Sequence, residues 1–162
     1  MNPEYFHKRI KETLDLCAYE FYTVHPIRDI KCTCVTHATQ EGDPSCVMCL
    51  GTGHKIKIRK IKGASNDSIE NIAGKGIKGS MSESTIRTYF VDDKFPIAED
   101  DLIIDDNKVF YIFRINHMRA FGGIKTHKEA NVLPKKNDEK IILKNFNKIM
   151  DRYRKEKHKW LM

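Results

Sequence analysis

The chain has 162 residues, of which 40% are hydrophobic and 31% charged; this is room for one domain with a small appendage and excludes wholesale disorder. No run approaches the roughly 20 apolar residues of a membrane helix, and the N-terminus lacks the pattern of a secretory signal. Five cysteines, an odd number, fit a disulfide framework poorly. We therefore expect a soluble protein, without a membrane partner, that starts in a reducing cytosol.

The net charge of +7 is distributed in blocks. Residues 83–106 carry 2 basic and 8 acidic side chains, whereas residues 107–162 carry 15 basic and 5 acidic ones. A chain with separate acidic and basic blocks can dock neighbouring copies head to tail, or can offer a basic face to nucleic acid. Composition leaves both partners open.

The N-terminal segment has the pattern of an amphipathic helix. It opens on Asn2-Pro3, which suits an N-cap and first turn, and apolar residues then recur at helical spacing. Pro26 is expected to stop it, which predicts an N-terminal helix over residues 1–25. Cys17 falls on the apolar face and is interpreted as a core residue.

Strand patterns dominate the middle of the chain. Strands are predicted at 55–62, 85–91, 102–104, 109–115 and 123–133. The third and fourth form a hairpin around an acidic turn, and the first contains a bulge. Residues 63–84, rich in glycine and serine, predict a long flexible loop.

A last helix is predicted after the capping residues Asn137 and Asp138. The sequence therefore predicts an α+β fold. It comprises a helix over 1–25, a zinc-binding loop over 26–54, a small β-barrel of about five strands over 55–134, and a helix with a basic tail over 135–162.

Two close cysteine pairs are the strongest chemical signal. Cys32 and Cys34 are separated from Cys46 and Cys49 by eleven residues rich in turn formers. Tetrahedral zinc needs this arrangement, because each pair supplies two thiolates from one tight turn and the loop brings the pairs together. Glycines at 51 and 53 would let backbone amides point at the sulfurs. We predict a structural Zn²⁺ site.

His37 or His54 could replace one thiolate, because a Cys-x-Cys pair is less usual than Cys-x-x-Cys; four sulfurs are the simpler ligand set. With four protein ligands no coordination position is left for a reactive water. The site is therefore expected to be a scaffold without catalytic residues.

Two basic runs and one basic loop are candidate contacts to nucleic acid or to an acidic partner. Their members are Lys55, Lys57, Arg59, Lys75, Lys78, Arg152, Arg154 and Lys155.

Aspartate pairs at 92–93, 100–101 and 105–106 could collect metal ions for phosphodiester cleavage, but each pair falls where a turn is expected for other reasons.

The segment from Cys46 to Gly53 resembles the Cys-x-x-Cys-x-Gly-x-Gly knuckle of DnaJ-type zinc domains. It occurs once here and no J-domain accompanies it, so only the metal chemistry carries over.

The hairpin from Asp101 to Ile115 resembles the barrel hairpin of tailed-bacteriophage head–tail joining proteins, the neck or stopper class. The knuckle running into the basic strand is similar to segments of phage virion proteins.

The phage resemblance implies a virion protein made in the host cytoplasm. It implies a homo-oligomeric ring under the portal that touches portal or adaptor and tail proteins and can contact genome DNA. Function would then lie in interface geometry, with no enzymatic turnover. An alternative is a zinc-containing nucleic-acid-binding regulatory protein, and a metal-dependent nuclease built on the aspartate pairs is a third possibility.

Overall fold

A computed structural model describes residues 2–36, 41–70, 84–120 and 122–159. Two helices flank six strands in chain order. The elements are α1 (Pro3–Cys17), β1 (Tyr19–Lys31), β2 (His54–Glu70), β3 (Ser84–Asp92), β4 (Leu102–Asp105), β5 (Lys108–Arg119), β6 (Lys125–Pro134) and α2 (Glu139–Lys159). Neither helix, within the described residues, has an apolar stretch of the length that a bilayer crossing requires.

The six strands close into a barrel in the order β1-β2-β3-β6-β5-β4. The pairing is antiparallel between β2 and β3, between β3 and β6, and between β1 and β4. Tyr89 of β3, for example, lies opposite Ser65 of β2 and Ala130 of β6. The predicted α+β class, a small barrel with a helix at each end and an inserted cysteine loop, is confirmed, with one strand more than expected.

The additional strand is β1, which begins at Tyr19 and replaces the end of the predicted N-terminal helix. α1 begins as predicted, with the Asn2 side chain accepting a hydrogen bond from the Glu4 amide at 3.0 Å, but it ends at Cys17. The following residues are aromatic and β-branched and pack better on a pleated sheet. The helix boundary at residue 25 was therefore wrong. Cys17 is exposed, so its interpretation as a core residue was also wrong.

The predicted flexible loop over 63–84 is partly strand. Residues 63–70 continue β2 and pair with β3 from Val91 back to Ser84, while residues 71–83 lie outside the described residues. Gly63 permits this close approach, because a Cβ there would lie 2.7 Å from the Phe90 carbonyl oxygen. Arg87 donates to both carboxylate oxygens of Asp67, at 2.6 and 3.0 Å, and this pairing raises the pKa of the guanidinium.

The hairpin of β4 and β5 forms where it was predicted. Its two-residue turn, Asp106-Asn107, has positive φ at both residues, 43° and 59°. This is the type I′ geometry that matches the twist of the flanking strands. All four residues of β4 are buried, and in β5 Val109, Phe110 and Ile112 are buried while Tyr111 is exposed.

The chain divides into two compact units. One consists of residues 1–21, 60–99 and 111–133, and in its core the rings of Phe21 and Tyr89 lie 4.8 Å apart. The other consists of residues 22–59, 100–110 and 134–162 and contains all four candidate metal ligands. Its buried core is formed by Val24, Leu50, Leu102, Ile104, Val109, Ile142 and Phe146.

Candidate metal centre

Four cysteine side chains meet where β1 runs into the loop before β2. The Sγ atoms of Cys32, Cys34, Cys46 and Cys49 all lie within 4.8 Å of one another. Cys32 Sγ is 3.7 Å from Cys46 Sγ, and Cys34 Sγ is 3.5 Å from Cys49 Sγ. All four are free thiols. The fold thus brings together the four residues named from their spacing, although β1 extends to Lys31 and shortens the predicted loop from 26–54 to 32–53.

The separations suit one tetrahedral ion. Zn–S bonds of about 2.3 Å at tetrahedral angles place sulfur atoms about 3.8 Å apart. The Cys32–Cys46 and Cys34–Cys49 Sγ distances, 3.7 and 3.5 Å, agree with this value to a few tenths of an ångström. They are far longer than a disulfide bond of about 2.05 Å. The four side chains can therefore bind one metal ion.

The second cysteine pair is held by a tight turn. The Leu50 amide donates to the Cys46 carbonyl oxygen at 3.0 Å, and the Thr52 amide donates to the Cys49 carbonyl oxygen at the same distance. Leu50 and Gly51 have positive φ, 51° and 81°, so the chain reverses directly after Cys49. The Sγ atoms of both residues of this pair lie in the cluster.

Backbone contacts join the two turns. The Cys32 amide donates to the Gly53 carbonyl oxygen at 2.9 Å, which ties the end of β1 to the start of β2. Gly42 lies against the same segment, and a Cβ at that position would lie 2.1 Å from the Gly53 nitrogen and 2.7 Å from the Gly51 oxygen. This close approach makes glycine necessary at position 42.

Two amides point at the most deeply buried sulfur. Burial raises the pKa of the Cys49 thiol to about 12, while hydrogen bonds from the Gly53 and Gly51 amides act in the opposite direction by favouring the thiolate. The expectation that these glycines direct amides at the sulfurs is therefore confirmed for Cys49. A bound cation would supply the remaining stabilisation that a buried thiolate needs.

We expect metal affinity to rise steeply with pH. Because the metal-free Cys49 thiol titrates well above pH 7, it is protonated there, and a bound metal must displace at least that proton. Each displaced proton makes the apparent affinity change about tenfold per pH unit. Competition with a chromophoric chelator at pH 6, 7 and 8 should show affinity falling at least tenfold per unit toward acid, and equal affinities at pH 6 and pH 8 would contradict this assignment.

The cysteine loop is anchored to the core. Leu50, next to Cys49, is fully buried in the same cluster as Ile142 and Phe146 of α2. The Asn145 side-chain amide donates to the Ser45 carbonyl oxygen at 2.9 Å. The cysteine loop therefore shares the buried core of its unit. Neither anchor was recognised from the sequence, because their partners lie about 100 residues apart along the chain.

The two histidines considered as ligands are not part of this cluster. The His54 ring nitrogen Nδ1 donates to the Thr52 carbonyl oxygen at 3.1 Å, and His54 is absent from the group of converging ligand atoms. His37 lies outside the described residues. Four sulfurs are thus the ligand set that the described part of the chain offers.

The candidate basic contacts lie on several elements. Lys55 and Lys57 are exposed on β2, and Arg59 is half-buried. Arg152, Arg154 and Lys155 are exposed near the end of α2, with Arg154 Nη1 3.9 Å from Asp151 Oδ1. Lys75 and Lys78 lie outside the described residues.

The aspartate pairs do not converge. Asp101 is fully buried, and its Oδ1 lies 2.7 Å from His25 Nδ1. Asp100 accepts from Arg28 at 2.9 Å, and Asp92 caps the turn by accepting from the Lys94 amide at 3.0 Å. Within the described ranges, the four cysteines are the one group of three or more metal-ligating side chains.

Comparison with models of known protein families gives no match, and comparison with curated protein sequences gives no significant match. The function is therefore inferred from the fold, the cysteine cluster and the surface of this chain.

Proposed function

We propose that this protein is a non-enzymatic structural component of a tailed-phage virion, a head–tail connector or neck protein that acts through subunit interfaces and carries one structural Zn²⁺ ion. The observation that carries the proposal is the closed barrel with its β4–β5 hairpin, flanked by two helices. The resemblance of the hairpin to head–tail joining proteins implies such a barrel.

The ligand set supports zinc in a structural role. Thiolates are soft ligands, and four of them at tetrahedral separations suit Zn²⁺ better than hard cations such as Mg²⁺ or Ca²⁺. Four protein ligands also leave no position for a water molecule or a substrate. The ion would hold the two turns together beside Leu50, and so fix the loop to the core of its unit.

The outer face of β5 supports a role in protein contacts. Tyr111 and Phe113, two residues apart and therefore on the same side of this strand, are each more than one-third exposed. An apolar group of this kind on a folded domain commonly marks an interaction surface. In a ring of identical subunits such a face would be covered by a neighbouring subunit or by a portal or tail protein.

Native mass spectrometry of the zinc-loaded chain, alone and with purified portal complexes, tests this role. We expect assemblies larger than a monomer, or a complex with the portal. The double substitution Tyr111→Ser and Phe113→Ser should weaken them at least tenfold, whereas Ile30→Ser, at a similarly exposed apolar residue of β1, should not. A folded wild-type chain that stays strictly monomeric and does not bind the portal would contradict the proposal.

A zinc-containing nucleic-acid-binding regulator is the second candidate, favoured by the exposed Lys55 and Lys57 on β2. A regulator binds its target sequence about 10³-fold or more tighter than unrelated DNA. Selection of bound sequences from a random duplex library separates the two roles, since a virion component should enrich none.

A further inference from the structure

The exposed face of α2 carries a row of cations. Lys140, Lys144, Lys148 and Arg152 recur every fourth residue, and all four are exposed. At a rise of 1.5 Å per residue they stand about 6 Å apart and together span about 18 Å along the helix. Ile142 and Phe146, on the opposite side, are buried in the core, so this row has a fixed orientation.

These cations have no ion-pair partner in the part of the chain that the structure describes. Among the described residues, none of the four forms an ion pair, while Asp151 on the same face is 3.9 Å from Arg154. Like charges four residues apart on a helix repel one another. An external anion that neutralises the row would therefore stabilise the helix.

The acidic block of a second copy offers few free acids to meet the row. Most of the acidic block is already engaged. Asp101 pairs with His25, Asp100 with Arg28, Asp92 with Lys11, Asp93 with His117, and Glu99 accepts from the Ile115 amide. Asp105 is buried. One of the two expectations from composition was that the acidic block of one copy binds the basic block of the next. Few acidic groups of that block are free to do so.

We propose that the row formed by Lys140, Lys144, Lys148 and Arg152 binds the phosphate backbone of duplex nucleic acid without sequence preference. Successive phosphates of one strand rise about 3.4 Å along the duplex axis and, because the strand winds around that axis, lie about 6–7 Å apart, close to the 6 Å step of the row. The proposal does not depend on the virion role, because it rests on α2 alone. The sequence analysis had named only residues at the C-terminal end of this surface, namely Arg152, Arg154 and Lys155.

Fluorescence anisotropy with a labelled 30-base-pair duplex tests the proposal on the full chain. The test variant carries Lys140→Gln, Lys144→Gln and Lys148→Gln. The matched control carries Lys108→Gln, Lys125→Gln and Lys136→Gln, which removes the same charge from exposed lysines elsewhere. Circular dichroism should show that both variants keep the wild-type helix content.

Each phosphate contact contributes about 0.9 to the slope of log affinity against log salt, or about eightfold in affinity at 0.1 M salt. We expect the affinity of the test variant for DNA to fall at least tenfold and its salt slope to become smaller by about 3. The affinity of the control variant should fall less than threefold. Equal losses in both variants would mean that net charge alone attracts DNA, and would overturn the proposal. So would equally tight binding of polyglutamate, which would identify an acidic protein as the partner, or an absence of DNA binding by the wild-type chain.

Discussion

Replacing Cys49 with serine is expected to abolish stoichiometric zinc binding and to lower the free energy of unfolding by about 4 kcal/mol or more, the range in which loss of a structural metal falls. Cys49 is fully buried and its Sγ lies 3.5 Å from Cys34 Sγ. A serine hydroxyl is a poor ligand for zinc, and the remaining thiols would no longer close the tetrahedron. Denaturant unfolding in excess zinc, together with metal analysis, measures both effects.

The matched control is Cys17→Ser. Cys17 is exposed on α1 and is absent from the cluster, so this variant should keep one zinc per chain and change stability by no more than about 0.5 kcal/mol. If the Cys49 variant retained zinc as tightly as the Cys17 variant, a set of four sulfur ligands would be excluded.

Leu50→Ala should destabilise the protein by about 2–5 kcal/mol, the usual range for truncating a buried leucine. The Leu50 side chain is fully buried in the cluster that includes Ile142 and Phe146, so its removal leaves a cavity between the cysteine loop and the core. The backbone φ of 51° at this position is as unfavourable for alanine as for leucine, so the substitution relieves no backbone strain. Chemical denaturation with zinc bound measures the loss.

Met48→Ala provides the comparison, because Met48 lies in the same turn and is 67% exposed. It should change stability by no more than about 0.5 kcal/mol. Similar losses for the two variants would show that Leu50 does not attach the loop to the core, and that zinc alone holds the loop.

The elements that the sequence predicted well are those with strong local signals. The β4–β5 hairpin combines a buried apolar arm with an Asp-Asn turn, and α2 has a single continuous apolar face. β1 was missed because its buried positions change alternation between Thr23 and Val24, which hides the two-residue period. The only local breaker, Pro26, lies inside β1 and not at its end. Residues 63–70 carry no apolar pattern, and their strand state comes from pairing with β3.

The cysteine set was predictable because metal chemistry imposes its own spacing. The two turns that bring the sulfurs together follow from Cys-x-Cys and Cys-x-x-Cys pairs, and the glycines after the second pair signal the reversal. The attachment of the loop to α2 was not predictable in this way. Asn145 and Ser45 are 100 residues apart, and a side chain that bonds a distant carbonyl leaves no local sequence pattern.

X-ray absorption at the zinc K edge tests the central claim most directly, using full-length protein purified without chelator. Four cysteines that share one ion predict about one zinc per chain, with a single shell of four sulfurs at about 2.3 Å. A nitrogen or oxygen shell at about 2.0–2.2 Å, or a zinc content far below one per chain, would contradict it.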